Sequence, residues 1–256
     1  MTLVEVERRG PAAVITLRRE EKLNALSSAL EGAIGAALER PDIRDARCVV
    51  FTGGPRAFSA GADVGELRDM DPASILAYPR ATGGVYERVA RLPQPTISAI
   101  AGHCLGGGLE LALATDFRVA EPSASFGLPE VGIGILPSSG GTHRLVRLLG
   151  AARAKELILL GDRFGAEEAH RLGLVTAIAE AGTGVARALE LAERLAALPP
   201  VAVSVAKQVI DAMPDASYDA GLALERLAYG LLAQTADHRE ATAAFAEKRA
   251  PRFGGR

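Results

Sequence analysis

Cysteine is scarce in this chain: two residues in 256, Cys48 inside the apolar run C-V-V-F and Cys104 beside His103. Isolated thiols in such settings read as buried side chains of a protein kept in a reducing compartment, not as a disulfide framework. Excess charge of one sign is missing too, with 31 acidic residues against 29 basic ones. That balance removes the broad electrostatic case for nucleic acid or an anionic membrane as partner, and leaves a small, roughly neutral ligand or a locally basic site. No uninterrupted apolar run approaches membrane-spanning length, and the start M-T-L-V-E-V-E-R-R lacks the apolar centre of a signal peptide, so the expected location is cytoplasmic. His103, His143, His170 and His238 have no metal-ligand spacing, which assigns them structural or solvent-facing roles and predicts no metal. No internal repeat is visible.

What the chain does have is core material, 48% apolar residues, enough for one large domain or two smaller ones. Alternating or continuous β-branched runs predict strands at Ala13 to Leu17, Arg47 to Thr52, Thr96 to Ala101, Phe117 to Ala120 and Leu174 to Ile178. Between them lie helical patterns. Ser28 and Glu31 have capping-box spacing, and Leu30, Ile34 and Leu38 then recur every fourth residue up to Pro41. Strands alternating with helices imply an α/β core. After a turn-like segment from Ala181 to Gly184 the pattern becomes wholly helical: Val185 to Leu198, Val201 to Met213 and Ala216 to Gln234, separated by prolines. From Glu66 to Tyr86 the chain carries Pro72, Pro79, Gly83 and Gly84 without sustained periodicity, which reads as a cover over a site or an ordinary surface loop.

Two glycine-rich turns follow predicted strands, where α/β folds tend to place ligands. They are A57-F-S-A-G-A-D63 and G106-G-G-L-E110, the second opening a predicted helix. Glycine lets a backbone N–H approach a ligand, and a helix start adds N–H groups without intrahelical partners, so the pair could hold an oxyanion. Glu110 interrupts the apolar run L109-E-L-A-L-A114, a costly place for a charge unless it is partnered or functional. Glu130 follows twenty residues later, after Pro129. Two carboxyl groups facing one substrate can divide acid and base work, one ionised and one protonated.

This stretch, G102-H-C-L-G-G-G-L-E-L-A-L-A-T-D116 through S125-F-G-L-P-E-V-G-I-G134, resembles the enoyl-CoA hydratase/isomerase (crotonase) superfamily, and the resemblance runs from about Val4 to Arg256. It implies an α/β crotonase (ClpP/crotonase-like) fold: a spiral of ββα units over residues 1–185 holding an acyl-CoA site, then a helical C-terminal trimerisation region over 186–256. It implies that the backbone N–H groups of Ala62 and Gly107 hold the thioester oxygen and that Glu110 and Glu130 are the catalytic pair. By the same resemblance Lys22, Leu23 and Ala25 border the CoA adenine and ribose, while Ala60, Ala62, Asp63, Val64 and Gly107 line the adenine and pantetheine path. Isomerases of the family commonly keep only the Glu130-like carboxylate, so both together imply syn-type hydration of a trans-2-enoyl-CoA to a 3-hydroxyacyl-CoA, with isomerisation the alternative. No cofactor beyond the CoA of the substrate is implied, and the expected assembly is a homotrimer or dimer of trimers.

Two departures from the family pattern stand out. The family's P-G-A-G-G-T reads P-S-S-G-G-T from Pro137 to Thr142, placing Ser138 where a glycine borders the active-site water, and its N-R-P-x-x-x-N-A-L reads R18-R-E-E-K-L-N-A-L26. Near the C-terminus, Lys248, Arg249, Arg252 and Arg256 form a cationic cluster that could meet CoA phosphates or simply be solvated. Asp63 and Asp116 read as structural, satisfying turn or helix-start N–H groups.

Other classes are weaker. G106-G-G-L-E-L lacks the third glycine of a dinucleotide fingerprint. Ser59, Asp116 and His143 follow the chain order of a serine hydrolase, but the nucleophile elbow's first glycine is absent. A non-enzymatic scaffold or RNA binder on the same fold is opposed by the intact glutamates and the near-neutral charge.

Overall fold

The computed structural model describes residues 2–255, and of residues 69, 72, 75, 76 and 78–83 only the backbone. Ten strands are present among them: β1 (Val4–Arg9), β2 (Ala12–Leu17), β3 (Cys48–Thr52), β4 (Ala57–Ser59), β5 (Thr96–Ile100), β6 (His103–Leu105), β7 (Phe117–Ala120), β8 (Ser125–Gly127), β9 (Phe164–Gly165) and β10 (Ala177–Ile178). The helices are α1 (Ser28–Leu38), α2 (Pro41–Arg44), α3 (Val64–Asp69), α4 (Pro72–Ala90), α5 (Gly107–Leu113), α6 (Gly141–Leu160), α7 (Ala166–Arg171), α8 (Gly184–Ala196), α9 (Pro200–Ala212), α10 (Tyr218–Leu232) and α11 (Ala236–Glu247).

The larger sheet has the order β1-β2-β3-β5-β7-β10, antiparallel only at β1–β2. Its central strands are apolar throughout because both faces are covered. Ala13, Ile15, Val49 and Phe51 face one core, with α1; Val14, Cys48, Val50 and Ile97 face another, closed by Ala188 and Ala192 of α8. The first of the C-terminal helices therefore packs on the sheet. Both cysteines are free and buried, as their apolar settings suggested.

The smaller sheet has the order β4-β6-β8-β9, and β4, β6 and β8 run parallel. Each is three residues long, so the three strands end side by side and release their following turns at one edge. This sheet places the site.

Several sequence expectations shift. The cap of α1 is Ser27, whose side chain accepts from Leu30 N, not Ser28; Ser28 turns instead to Glu66, and Glu31 falls on the inward face beside Leu30 and Ile34. The segment from Glu66 to Tyr86 is helical, not an irregular cover. Asp71 caps α4 by accepting from Ala73 N and Ser74 N, and Pro72 occupies the first helical position, where its missing N–H costs nothing. The run from Leu174 to Ile178 is paired only at Ala177–Ile178, because Leu174 N and Val175 N donate to Ala169 O at the end of α7. Helix α6, Gly141–Leu160, is an element beyond those the sequence pattern predicts.

Asp116 ties the helical region to the sheet. Its Oδ2 accepts from Thr96 N at 2.7 Å, Thr96 Oγ1 at 2.9 Å and Lys207 Nζ of α9 at 2.8 Å, and the Lys207 side chain is only 9% exposed. Asp116 is thus structural, through a strand start and a lysine in place of the turn expected. Replacing Asp116 by Ala strands a nearly buried ammonium, and the expected loss is about 3 kcal/mol in urea unfolding, with Asp116→Asn losing less.

Candidate active site

The three parallel strands deliver the site's parts. After β4, Gly61 takes φ +98°, a conformation that favours glycine, and Ala62 follows, bridged to Leu26. After β6, Gly106 takes φ +51° and α5 begins at Gly107. Gly108 must be bare because a methyl group there would lie 2.5 Å from Ser59 O, so α5 packs directly on β4. A methyl group on Gly107 would lie 3.7 Å from Ala62 N, and one on Gly61 would lie 3.5 Å from Gly107 N. The two N–H groups therefore border one small space. Neither has a hydrogen-bond partner among the described residues: Gly107 is the first residue of its helix, and the Leu26 bridge uses Gly61 O and Asp63 N.

Glu110 lies one turn into α5 and is 4% exposed. Its Oε1 accepts from Ser139 N at 2.8 Å and Gly141 N at 2.9 Å, in the loop that opens α6. Burial pushes its pKa up, while the N–H groups of Gly141, Ser139 and Ser138 and the charge of Arg144 pull it back. Gly141 could carry no side chain here, since a methyl group would lie 2.6 Å from Glu110 Cγ. Ser138 is exposed, and its contribution to Glu110 is made by its backbone N–H. The glycine-rich string from Pro137 to Thr142 was visible in the sequence, but its role as the cradle of Glu110 was not read from it.

Glu130 follows β8 at the head of a short 3-10 turn, Glu130–Ile133. It is 9% exposed, and its Oε2 is buried without a hydrogen-bond partner among the described residues. Its Oε1 lies 3.2 Å from where a methyl group on Gly106 would sit, beside the same turn as Gly107. Burial pushes its pKa up to about 7, its own backbone N–H opposes that, and the charge of Glu110 adds to it. The two carboxyl groups therefore sense one another.

The remaining expected site residues form one wall. Ala60 N donates to Leu23 O, Ala25 N to Lys22 O, and Asp63 N to Leu26 O, so residues 22–26 run beside 60–63. Leu23 and Asn24 take φ of 52° and 53°, turning the chain after the 3-10 helix Glu20–Lys22. Asp63 caps α3 by accepting from Gly65 N and pairs with Arg19 at 2.7 Å; Arg19 also donates to Ala25 O. Lys22 is exposed and Val64 is 62% exposed, on the outer side of this wall.

Comparison with known proteins follows the same lines. The model of the family described as enoyl-CoA hydratase/isomerase matches residues 7–256. The chain belongs to the enoyl-CoA hydratase/isomerase family. A short-chain-enoyl-CoA hydratase of Clostridium acetobutylicum is 38% identical over 251 residues, 96% of this chain and 95% of that one. A 2,3-dehydroadipyl-CoA hydratase of Escherichia coli is 38% identical over 258 residues, covering 100% of both chains. The crystal structure of an enoyl-CoA hydratase from Bacillus anthracis superposes with a TM-score of 0.94 at 40% identity, covering 99% of this chain and 100% of that one. The fold is the α/β crotonase fold of this enoyl-CoA hydratase/isomerase family, with its C-terminal helical region.

Other groupings do not form. Ser59 is fully buried and donates its hydroxyl to Asn24 O at 2.8 Å, while Asp116 is committed to Thr96 and Lys207, so the serine hydrolase arrangement is absent. In the C-terminal cluster Lys248 ends α11 with φ 54°, Arg249 is held by Glu240 and Glu247, and Arg252 keeps Glu240 through its backbone N–H. Arg256 lies outside the described residues. Among the described residues no group of His, Cys, Asp and Glu could hold a metal ion, and no single helix is long and apolar enough to cross a membrane.

Two predictions follow from this geometry. Gly141→Ala should displace Glu110 and lower turnover about 100-fold, with far-ultraviolet circular dichroism unchanged. Glu31, Glu110 and Glu130 all have folded-state pKa values raised above their ordinary ones, the first and last to about 7. A raised carboxyl stabilises the fold below about pH 4.5 and loses that contribution as pH climbs through 7. The urea midpoint should therefore be lower at pH 8 than at pH 5.5, and Glu130→Gln should flatten the difference.

Proposed function

We propose that this enzyme adds water reversibly across the double bond of a trans-2-enoyl-CoA, with syn geometry, giving a 3-hydroxyacyl-CoA. The observation that carries this reading is the convergence of two unpartnered N–H groups, Ala62 and Gly107, with two buried carboxyl groups, Glu110 and Glu130. The N–H pair takes the thioester carbonyl oxygen. Negative charge can then develop there, which makes the β-carbon electrophilic and the α-carbon able to accept a proton. Glu110, whose two backbone N–H bonds support the ionised form against the effect of burial, removes a proton from water as the water oxygen attacks the β-carbon. Glu130, with an unmatched buried oxygen, is favoured in its protonated form and gives that proton to the α-carbon. One proton has been gained by Glu110 and one lost by Glu130; transfer between the two resets the pair, which titrates as a unit.

CoA is the carrier part of the substrate, lying along residues 22–26 and 60–64, and the chemistry needs no further cofactor. The reading includes a homotrimer or a dimer of trimers. In its support, Ile210, Leu227, Tyr229, Leu231 and Phe245 of the C-terminal helices are each more than half exposed on the single chain, and burial against another copy would remove that apolar area from water. The relatives named for short-chain and 2,3-dehydroadipyl substrates span different acyl groups, so the reading commits to the enoyl-CoA class and to no acyl length.

The test is incubation of the purified protein with a short trans-2-enoyl-CoA in heavy-oxygen water. Labelled 3-hydroxyacyl-CoA formed faster than in buffer is expected, with Glu110→Gln and Glu130→Gln each reducing the rate by at least about 100-fold while acyl-CoA binding persists. Near-normal turnover in both variants would remove the two-carboxyl mechanism. Bound acyl-CoA without labelled product would turn the assignment to isomerisation.

A further inference from the structure

Beside the two N–H donors lies a third buried carboxyl that the hydration scheme leaves unused. Glu31, on the inward face of α1, is 4% exposed among Leu30, Ile34 and other core residues. Its Oε1 accepts a hydrogen bond from the Tyr86 hydroxyl at 3.0 Å, and its Oε2 is buried with no hydrogen-bond partner among the described residues. Among the described carboxyl groups only Glu130 shares that condition. A buried charge with an unmatched oxygen is expensive, so the neutral acid is favoured. Burial pushes the pKa of Glu31 up to about 7, against the Tyr86 bond, and the nearby charges of Glu66 on α3 and Glu110 on α5 push in the same direction as burial. Arg88, on α4 with Tyr86, is turned away to Gly35 O and Glu39. Tyr86 is itself buried, and its hydroxyl oxygen lies 3.5 Å from the point a methyl group on Gly107 would occupy, with Ala62 N 3.7 Å from that same point. The phenol therefore borders the space between the two N–H groups, on the Gly107 side, as Glu130 borders it on the Gly106 side.

We propose that the Tyr86 hydroxyl is a third donor to the thioester oxygen and that Glu31 is the positioning residue that aims it. The inference rests on the oxyanion site of the reading above. A neutral Glu31 donates a hydrogen bond to the phenol oxygen, so that the phenol O–H can be directed toward the thioester oxygen. An ionised Glu31 accepts a hydrogen bond from the phenol O–H instead, turning the phenol lone pairs toward the site and placing a negative charge beside a developing one. Only hydrogen-bond direction changes between the two states, apart from the single proton that Glu31 exchanges with solvent.

The test uses the full-length protein and acetoacetyl-CoA, whose enolate absorbs in the near ultraviolet, with butyryl-CoA binding as a control for the intact fold. At pH 6, Tyr86→Phe and Glu31→Leu are expected to weaken enolate binding by about 100-fold, the cost of removing one such donor, while butyryl-CoA still binds. Glu31→Gln is expected to restore it, because the amide N–H donates to the phenol oxygen at every pH. At pH 8.5 the wild type should have lost enolate affinity that Glu31→Gln retains. Enolate binding unchanged in Tyr86→Phe and Glu31→Leu, or a Glu31→Gln no better than Glu31→Leu, overturns the proposal. If Tyr86→Phe fails to fold, the pH comparison of wild type with Glu31→Gln decides alone. Tyr86-dependent enolate binding without hydration of any enoyl-CoA would sink the hydratase reading and leave this one standing.

Discussion

Everything in the site depends on β4, β6 and β8 running parallel and stopping together. Strands that short contribute little stability of their own, yet their common direction sends three turns out at one edge. The first presents Ala62, the second Gly107 and Glu110, the third Glu130. Close packing of α5 on β4, possible because Gly108 has no side chain, brings the first two turns within contact of each other. A bulkier residue at that position would open the gap between the N–H groups and separate the donors from the carboxyl groups.

Backbone N–H groups then do two different jobs a few residues apart. Those of Ala62 and Gly107 have no partners among the described residues, which is what the proposed role of receiving charge on a substrate requires. Those of Ser139 and Gly141 are spent on Glu110, which offsets the penalty of burying it. Glu130 has no comparable cradle among the described residues, and burial pushes its pKa up to about 7. The difference between the two glutamates is thus a difference in backbone, not in side-chain chemistry. Glu31 extends the same logic, since among the described residues its bond to Tyr86 leaves one oxygen unmatched in a core that tolerates the acid more readily than its anion.

Much of this was legible in the primary structure because the signals were local. The apolar runs that became β2, β3, β5 and β7 fell close to their predicted bounds, and the strings A60-G-A-D63 and G106-G-G-L-E110 marked both donor turns. The helix over Pro72–Ala90 was missed because its prolines and glycines outweighed the cap at Asp71, although a proline in the first turn favours a helix. The capping-box spacing of Ser28 and Glu31 points away from the core, whereas the cap is Ser27 and Glu31 shares the buried face of α1 with Leu30 and Ile34. Tyr86 carries no motif, and although Arg19 and the Glu110 cradle lie in recognisable strings, their pairings with Asp63 and Glu110 do not show in them, because the partners of these three lie 29 to 55 positions away wherever the contact crosses elements.

The chain alone settled which residues were chemically equipped for the work: two carboxyl groups beside glycine turns, an α/β alternation and a helical last third, all written in composition and spacing. Tertiary structure alone decided which of those carboxyl groups is cradled, which is unmatched, and that Glu31 joins them. The reason is physical. Residue type and local period fix what a side chain and its own turn can do, whereas burial, hydrogen-bond count and neighbouring charge are set by segments brought together from distant parts of the chain.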